Sequence, residues 1–186
     1  MAFSGFCNCY VRELFGDFKG SIVEFDRAIE IDPEVPDAHY YKGLALIRLS
    51  KGAEGAEEFR AELKRNPRNA RAAFHLGYCL SSMDQLEDAL AAFRTAVDLD
   101  PAYANAYYES GKILVRQGKL DPAVDALQNA VKLGAENSFV YYQLAQAYQR
   151  SGNAAQAQVA LARYRDLKAK EQAARPPIRM IEPEQK

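Results

Sequence analysis

The sequence predicts an all-α solenoid of stacked helical hairpins, and three observations predict it. Apolar residues recur at helical spacing in short blocks. The blocks come in pairs divided by a turn signal. The paired pattern returns every 34 residues without insertion. Residues 70–103 show the plan. Ala73, Leu76, Gly77 and Leu80 stand at i, i+3, i+4 and i+7, which draws one stripe on a first helix. Ala89, Phe93, Ala96 and Val97 draw a similar stripe on a second. Asp84 between them is placed to cap the second helix. Pro101 closes the unit, because proline cannot continue a helix interior. Gly77 has no side chain, which implies a close helix crossing there.

With Leu76-Gly77, Ala89, Phe93 and Pro101 at these offsets, the unit resembles the tetratricopeptide repeat family. The units fall at 2–35, 36–69, 70–103, 104–137 and 138–171, in constant register across 1–171. The resemblance implies an α-solenoid of five helical hairpins forming a right-handed superhelix. It also implies that the first helix of each unit lines the concave face.

In the first unit the second helix matches well, with Gly16-Asp17-Phe18, Ile22, Phe25, Ala28, Ile29 and Pro33. Its first helix departs, with Gly5, Asn8 and Arg12 at usually apolar positions and Phe3, Phe6 and Tyr10 nearby. Repeat stacks need polar caps, so this end reads as an uncapped, apolar edge. The second unit opens on Pro36-Asp37, suited to a first turn. Lys42, Gly55 and Glu62 break its pattern at core positions. Gly52 and Gly55 each cost about 0.8–1 kcal/mol against alanine in a helix interior, so this unit is expected to be the least stable internal one.

In the fourth unit Asp121-Pro122 fits an N-cap followed by proline at the first helical position, and Gly134 suits the helix end. In the fifth, Tyr164 and Arg165 stand where further stacking would need small and apolar residues, so the last helix reads as a cap. Residues 172–186 read as a flexible tail. Docking back through Ile178, Met180 and Ile181 is the alternative.

Composition bounds the function. The chain is 48% hydrophobic and 26% charged, which is ordinary for a globular protein. A net charge of -1 lacks the basic bias of nucleic-acid binders. No apolar run approaches the roughly 20 residues of a membrane span. The N-terminus lacks the pattern of a signal peptide, so a cytoplasmic location is expected. Cys7, Cys9 and Cys79 read as reduced, ordinary cysteines. The sequence contains no glycine-rich phosphate loop, metal motif or nucleophile–His–acid set. It reads as non-enzymatic, with no cofactor.

The stripe of each first helix not used in stacking is the candidate binding surface. It carries Tyr40, Tyr41, Leu44 and Arg48 in the second unit, and Phe74 and Tyr78 in the third. Tyr108, Lys112 and Arg116 follow in the fourth, and Tyr142, Gln146 and Arg150 in the fifth. The groove so drawn is aromatic toward the N-terminal side and more cationic toward the C-terminal side. Tyrosine and arginine often dominate interface energies. The reading is an adaptor that holds a protein or peptide partner, with apolar anchors near Tyr41, Leu44 and Tyr78 and acidic groups near Arg116 and Arg150. The alternatives are self-association or assembly through the N-terminal edge, or a fragment of a larger repeat protein. The resemblance does not extend to the carboxylate clamp of some family members, because Cys7 and Tyr41 replace its asparagines.

Overall fold

The structure, a computed structural model, describes residues 16–135 and 137–174. Among them are nine α-helices and no strand: α1 (Phe18–Ile31), α2 (Ala38–Arg48), α3 (Gly52–Arg65), α4 (Ala70–Ser82), α5 (Leu86–Leu99), α6 (Ala104–Gln117), α7 (Leu120–Lys132), α8 (Ser138–Arg150) and α9 (Ala154–Ala173). They form the hairpins α2–α3, α4–α5, α6–α7 and α8–α9, with α1 as the second helix of the unit before. The first helix of the first unit and its apolar edge lie outside the described residues, as does the tail beyond Ala174.

Small residues let the helices approach. A Cβ added at Gly43 would stand 2.8 Å from the Phe59 ring, and one at Gly77 2.7 Å from Phe93. At Gly111 it would stand 2.5 Å from Leu127. Each glycine on a first helix thus receives the large, fully buried residue of its own second helix. The turn between the helices recurs as faithfully. Gly16, Ser50, Asp84, Gly118 and Gly152 all have positive φ and are spaced one repeat apart. Glycine adopts that conformation at little cost, whereas Ser50 and Asp84 carry a Cβ into it.

This turn corrects the expected caps. Asp84 is the turn residue itself; Gln85 precedes α5 and makes no side-chain cap. Asp37 is likewise left-handed and makes no capping bond. In α7 the first helical residue is Leu120, so Asp121 lies in the first turn and Pro122 one residue further in. Proline is tolerated there because a first-turn N–H has no helical partner. The capping bonds are donated instead by the backbone N–H groups of Gly20, Ala72 and Val140 to the side-chain oxygens of Asp17, Asn69 and Asn137.

The three departures in the second unit have physical partners. Gly55 is buried, and a Cβ there would lie 3.3 Å from the Gly43 carbonyl, so the helices cross at a glycine on each side. Glu62 is buried and accepts a 3.0 Å hydrogen bond from Asn69 Nδ2. Lys42 Nζ sits 2.6 Å from Asp26 and 2.7 Å from Glu58, while His39 Nδ1 is 2.6 Å from the other Glu58 oxygen. Burial pulls the Lys42 pKa down, but the hydrogen bonds to both carboxylates outweigh this and hold it above its ordinary value.

The packing makes two layers. The first helices α2, α4, α6 and α8 touch in succession and form the inner layer. The second helices pack on first helices to either side and form the outer layer. Apolar clusters run along the seam between the layers from Phe25 to Ala160. Among the described residues, no helix is long and apolar enough to cross a membrane.

Candidate functional site

Three consecutive first helices open one groove on the inner layer, of about 400 Å³. Leu44, Ile47 and Arg48 of α2, Phe74, His75 and Tyr78 of α4, and Tyr108 with Glu109 of α6 line it. Asn105 and Asn137 close its C-terminal side. The helical repeat explains the convergence. Residues one turn apart on each helix face the same way, and the 34-residue register sets them side by side on successive helices.

The apolar floor is fixed from below. Phe74 stacks on Tyr103 at 5.0 Å and tilts against Phe93 at 5.6 Å. His75 lies stacked on Phe59, with ring centroids 5.5 Å apart. Burial, and secondarily the charge of Arg71, lower the His75 pKa to about 4, so near neutral pH it presents an uncharged imidazole. Tyr78 is 45% exposed, a large aromatic face open to solvent. Tyr108 lies under Lys112 Nζ, 5.3 Å from its centroid, and Lys112 also pairs with Glu109 at 2.7 Å. Burial raises the Tyr108 pKa, with Lys112 pulling the other way. The groove therefore offers apolar and aromatic surface, with hydrogen-bonding groups at its rim.

The structure distributes the sequence-selected residues unevenly. Leu44, Arg48, Phe74, Tyr78 and Tyr108 come together in the groove. Tyr40 is only 5% exposed, enclosed by Tyr41, Phe59 and His75 and crossed by the Arg71 guanidinium; burial raises its pKa to about 12. Tyr41 stacks on Phe25 of α1. Arg116 pairs with Asp84, and Arg150 Nη1 donates to the Val115 carbonyl at the end of α6. Tyr142 leans on Tyr164 at 5.5 Å and accepts a hydrogen bond from Gln146, away from the groove. Ile47, His75, Asn105 and Glu109 lie on the same helical stripe that the sequence marks, but residue type alone does not single them out. Asn137 precedes α8 and reaches the groove only through the stacking of successive units.

A second groove, about 660 Å³, lies on the outer layer between α7 and α9, over α8. Sequence reasoning misses it. One sequence signal is the apolar Val159 at an outward-facing position, where it is 71% exposed.

Comparison with known proteins identifies the fold. The family profile described as Tetratricopeptide repeat matches residues 15–63 and 44–82, and the one described as TPR repeat matches 80–118 and 111–152. Among solved structures, MamA 41-end from Desulfovibrio magneticus RS-1 superposes with a TM-score of 0.83 at 22% identity, covering 91% of this chain and 96% of that one. YrrB, described as a TPR protein with an unusual peptide-binding site, gives a TM-score of 0.78 at 20% identity, covering 92% and 89%. PilF of Pseudomonas aeruginosa gives 0.77 at 19%, covering 89% and 75%. At these identities the likeness establishes the fold. A search of curated proteins finds no match.

Proposed function

The chain belongs to the tetratricopeptide repeat family, and from that premise we propose that it is a non-enzymatic adaptor whose inner groove holds an apolar stretch of a protein partner. One observation carries the reading: Leu44, Phe74, Tyr78 and Tyr108, from three successive helices, converge on one open groove. Covering the exposed Tyr78 ring with an apolar partner group would remove apolar surface from water, which favours binding. Arg48, Asn105 and Asn137 at the rim supply polar groups that would orient a bound backbone. The fold shared with YrrB, described as having a peptide-binding site, supports the same use of this architecture.

Panning a displayed random peptide library against the intact chain tests the proposal. Enriched peptides should carry spaced apolar or aromatic residues. Their binding should fall about five- to thirtyfold on Tyr78→Ala, the cost expected of an anchor residue, and at least as much on Leu44→Asp. Enriched peptides indifferent to both substitutions would remove the groove as the site.

A further inference from the structure

We propose, on the premise that the inner groove holds a protein partner, that the partner segment carries an aspartate or glutamate that pairs with Arg48, three or four residues from an apolar side chain seated on Tyr78. Arg48, Ser82, Arg116 and Arg150 stand one repeat apart, at the ends of their first helices. Two of these three arginines are engaged within the protein. Arg116 reaches back across one repeat to Asp84, and Arg150 to the Val115 carbonyl. For Arg48 the place of Asp84 is taken by Gly16, which has no carboxylate to offer. Arg48 is exposed and lines the groove, and among the described residues no hydrogen bond or ion pair holds its guanidinium. The other lining groups do not offset its charge. Glu109 is held by Lys112 Nζ at 2.7 Å. His75, with its pKa near 4, is uncharged near neutral pH. Asn105 and Asn137 at the far side are neutral amides. The groove is thus apolar along its floor and cationic at the α2 end. This reverses the polarity that the sequence suggests, because the arginines toward the C-terminal side are the ones already taken.

A guanidinium fork matches a carboxylate in shape and charge. At the exposed rim the carboxylate keeps part of its water while it pairs. Over the apolar floor it would lose that water with no partner. A nucleic acid would meet a single cation beside an apolar floor, whereas its affinity rests on several phosphate contacts. Helix geometry sets the spacing. Arg48 lies one turn past Leu44, about 6 Å along α2. Tyr78 occupies the place of Leu44 on the next first helix, about 8–10 Å to the side. Arg48 and Tyr78 are therefore about 10–12 Å apart, which three or four residues of extended chain span.

Panning one displayed random peptide library in parallel against the intact chain and its Arg48→Glu, Arg48→Gln and Arg116→Glu variants tests the proposal. Peptides taken by the unaltered chain should carry an acidic residue three or four positions from an apolar one. Arg48→Glu should exchange that acidic residue for a basic one and keep the apolar one, since a reversed charge repels the first and attracts the second. Arg116→Glu should change neither. A selected acidic peptide should bind Arg48→Gln about two- to fivefold more weakly at low salt, and the difference should vanish at high salt, as for an exposed ion pair. Peptides that lose binding on Tyr78→Ala yet show no acidic preference, or a preference reversed by Arg116→Glu instead, would overturn the proposal and leave the groove as the site. Peptides indifferent to Tyr78→Ala, or a library that yields none, would overturn the groove reading and the proposal with it.

Discussion

Arg116 on α6 reaches across one repeat to Asp84, the left-handed turn residue between α4 and α5, with Nη2 2.5 Å from Oδ1. Both side chains are mostly exposed, at 60% and 69%. The pair ties the first helix of one unit to the turn of the unit before. Exposed pairs of this kind contribute at most about 1 kcal/mol. Arg116→Ala should therefore shift a urea unfolding curve by less than that, and raising salt should erase the difference. Peptides captured by the inner groove should lose about 1–2 kcal/mol of affinity on Tyr78→Ala and less on Arg116→Ala, whose charge is already engaged. A larger loss on Arg116→Ala, measured by calorimetry, would extend the site toward α6's end.

Gly77 is expected to resist any side chain. Its missing Cβ is the space the Phe93 ring occupies. Gly77→Ala should destabilise by about 1–3 kcal/mol, the usual cost of overpacking. In the last unit Ala145 stands at the equivalent position and Leu161 at the position of Phe93. Adding Phe93→Leu to Gly77→Ala should therefore recover part of the loss. Denaturant midpoints of the two single variants and the double variant measure this coupling.

Ser50 should be improvable. Its φ of 60° matches the left-handed turn that Gly16, Gly118 and Gly152 adopt in other units. Holding a Cβ in that region costs roughly 1–2 kcal/mol, part of which glycine returns as unfolded-chain entropy. Ser50→Gly should thus stabilise by up to about 1 kcal/mol, and Ser50→Ala should not. Thermal unfolding of both variants decides the matter.

His75 gives the stack a defined acid sensitivity. Its folded pKa, near 4, lies below the unfolded value of about 6.5. Between those values the unfolded chain binds more protons, so stability is lost as pH falls through 6.5 toward 4. The contribution amounts to roughly 2–3 kcal/mol across the window. His75→Gln should remove that part of the pH dependence. Urea midpoints of both proteins at pH 7 and pH 4.5 test it; parallel losses would assign the effect to the carboxylates.

Much of the fold is legible in the residues. The hairpin period shows because each unit must bury the same stripe, so Phe59, Phe93 and Leu127 recur in register with Gly43, Gly77 and Gly111. The inner stripe is legible for the same reason: Leu44, Tyr78 and Tyr108, which line the groove, all stand on it. Periodicity does not separate Tyr78, which faces solvent, from Tyr40, which the rings of Phe59 and His75 enclose. Both are tyrosines on the same helical face, and their exposure depends on neighbours from other units. Asp84 departs from its expected capping role for a related reason. Aspartate is a good cap and a tolerable left-handed turn residue, and only the chain path chooses between them.

By itself the sequence determined the repeat, the helix pairs and the stripe that stacking leaves over, because these follow from periodicity along one chain. The tertiary structure alone decided which members of that stripe stay open, that Arg116 and Arg150 are already engaged, and that an apolar groove lies between α7 and α9. Those outcomes depend on distances between side chains on different helices, which packing sets and local pattern does not encode.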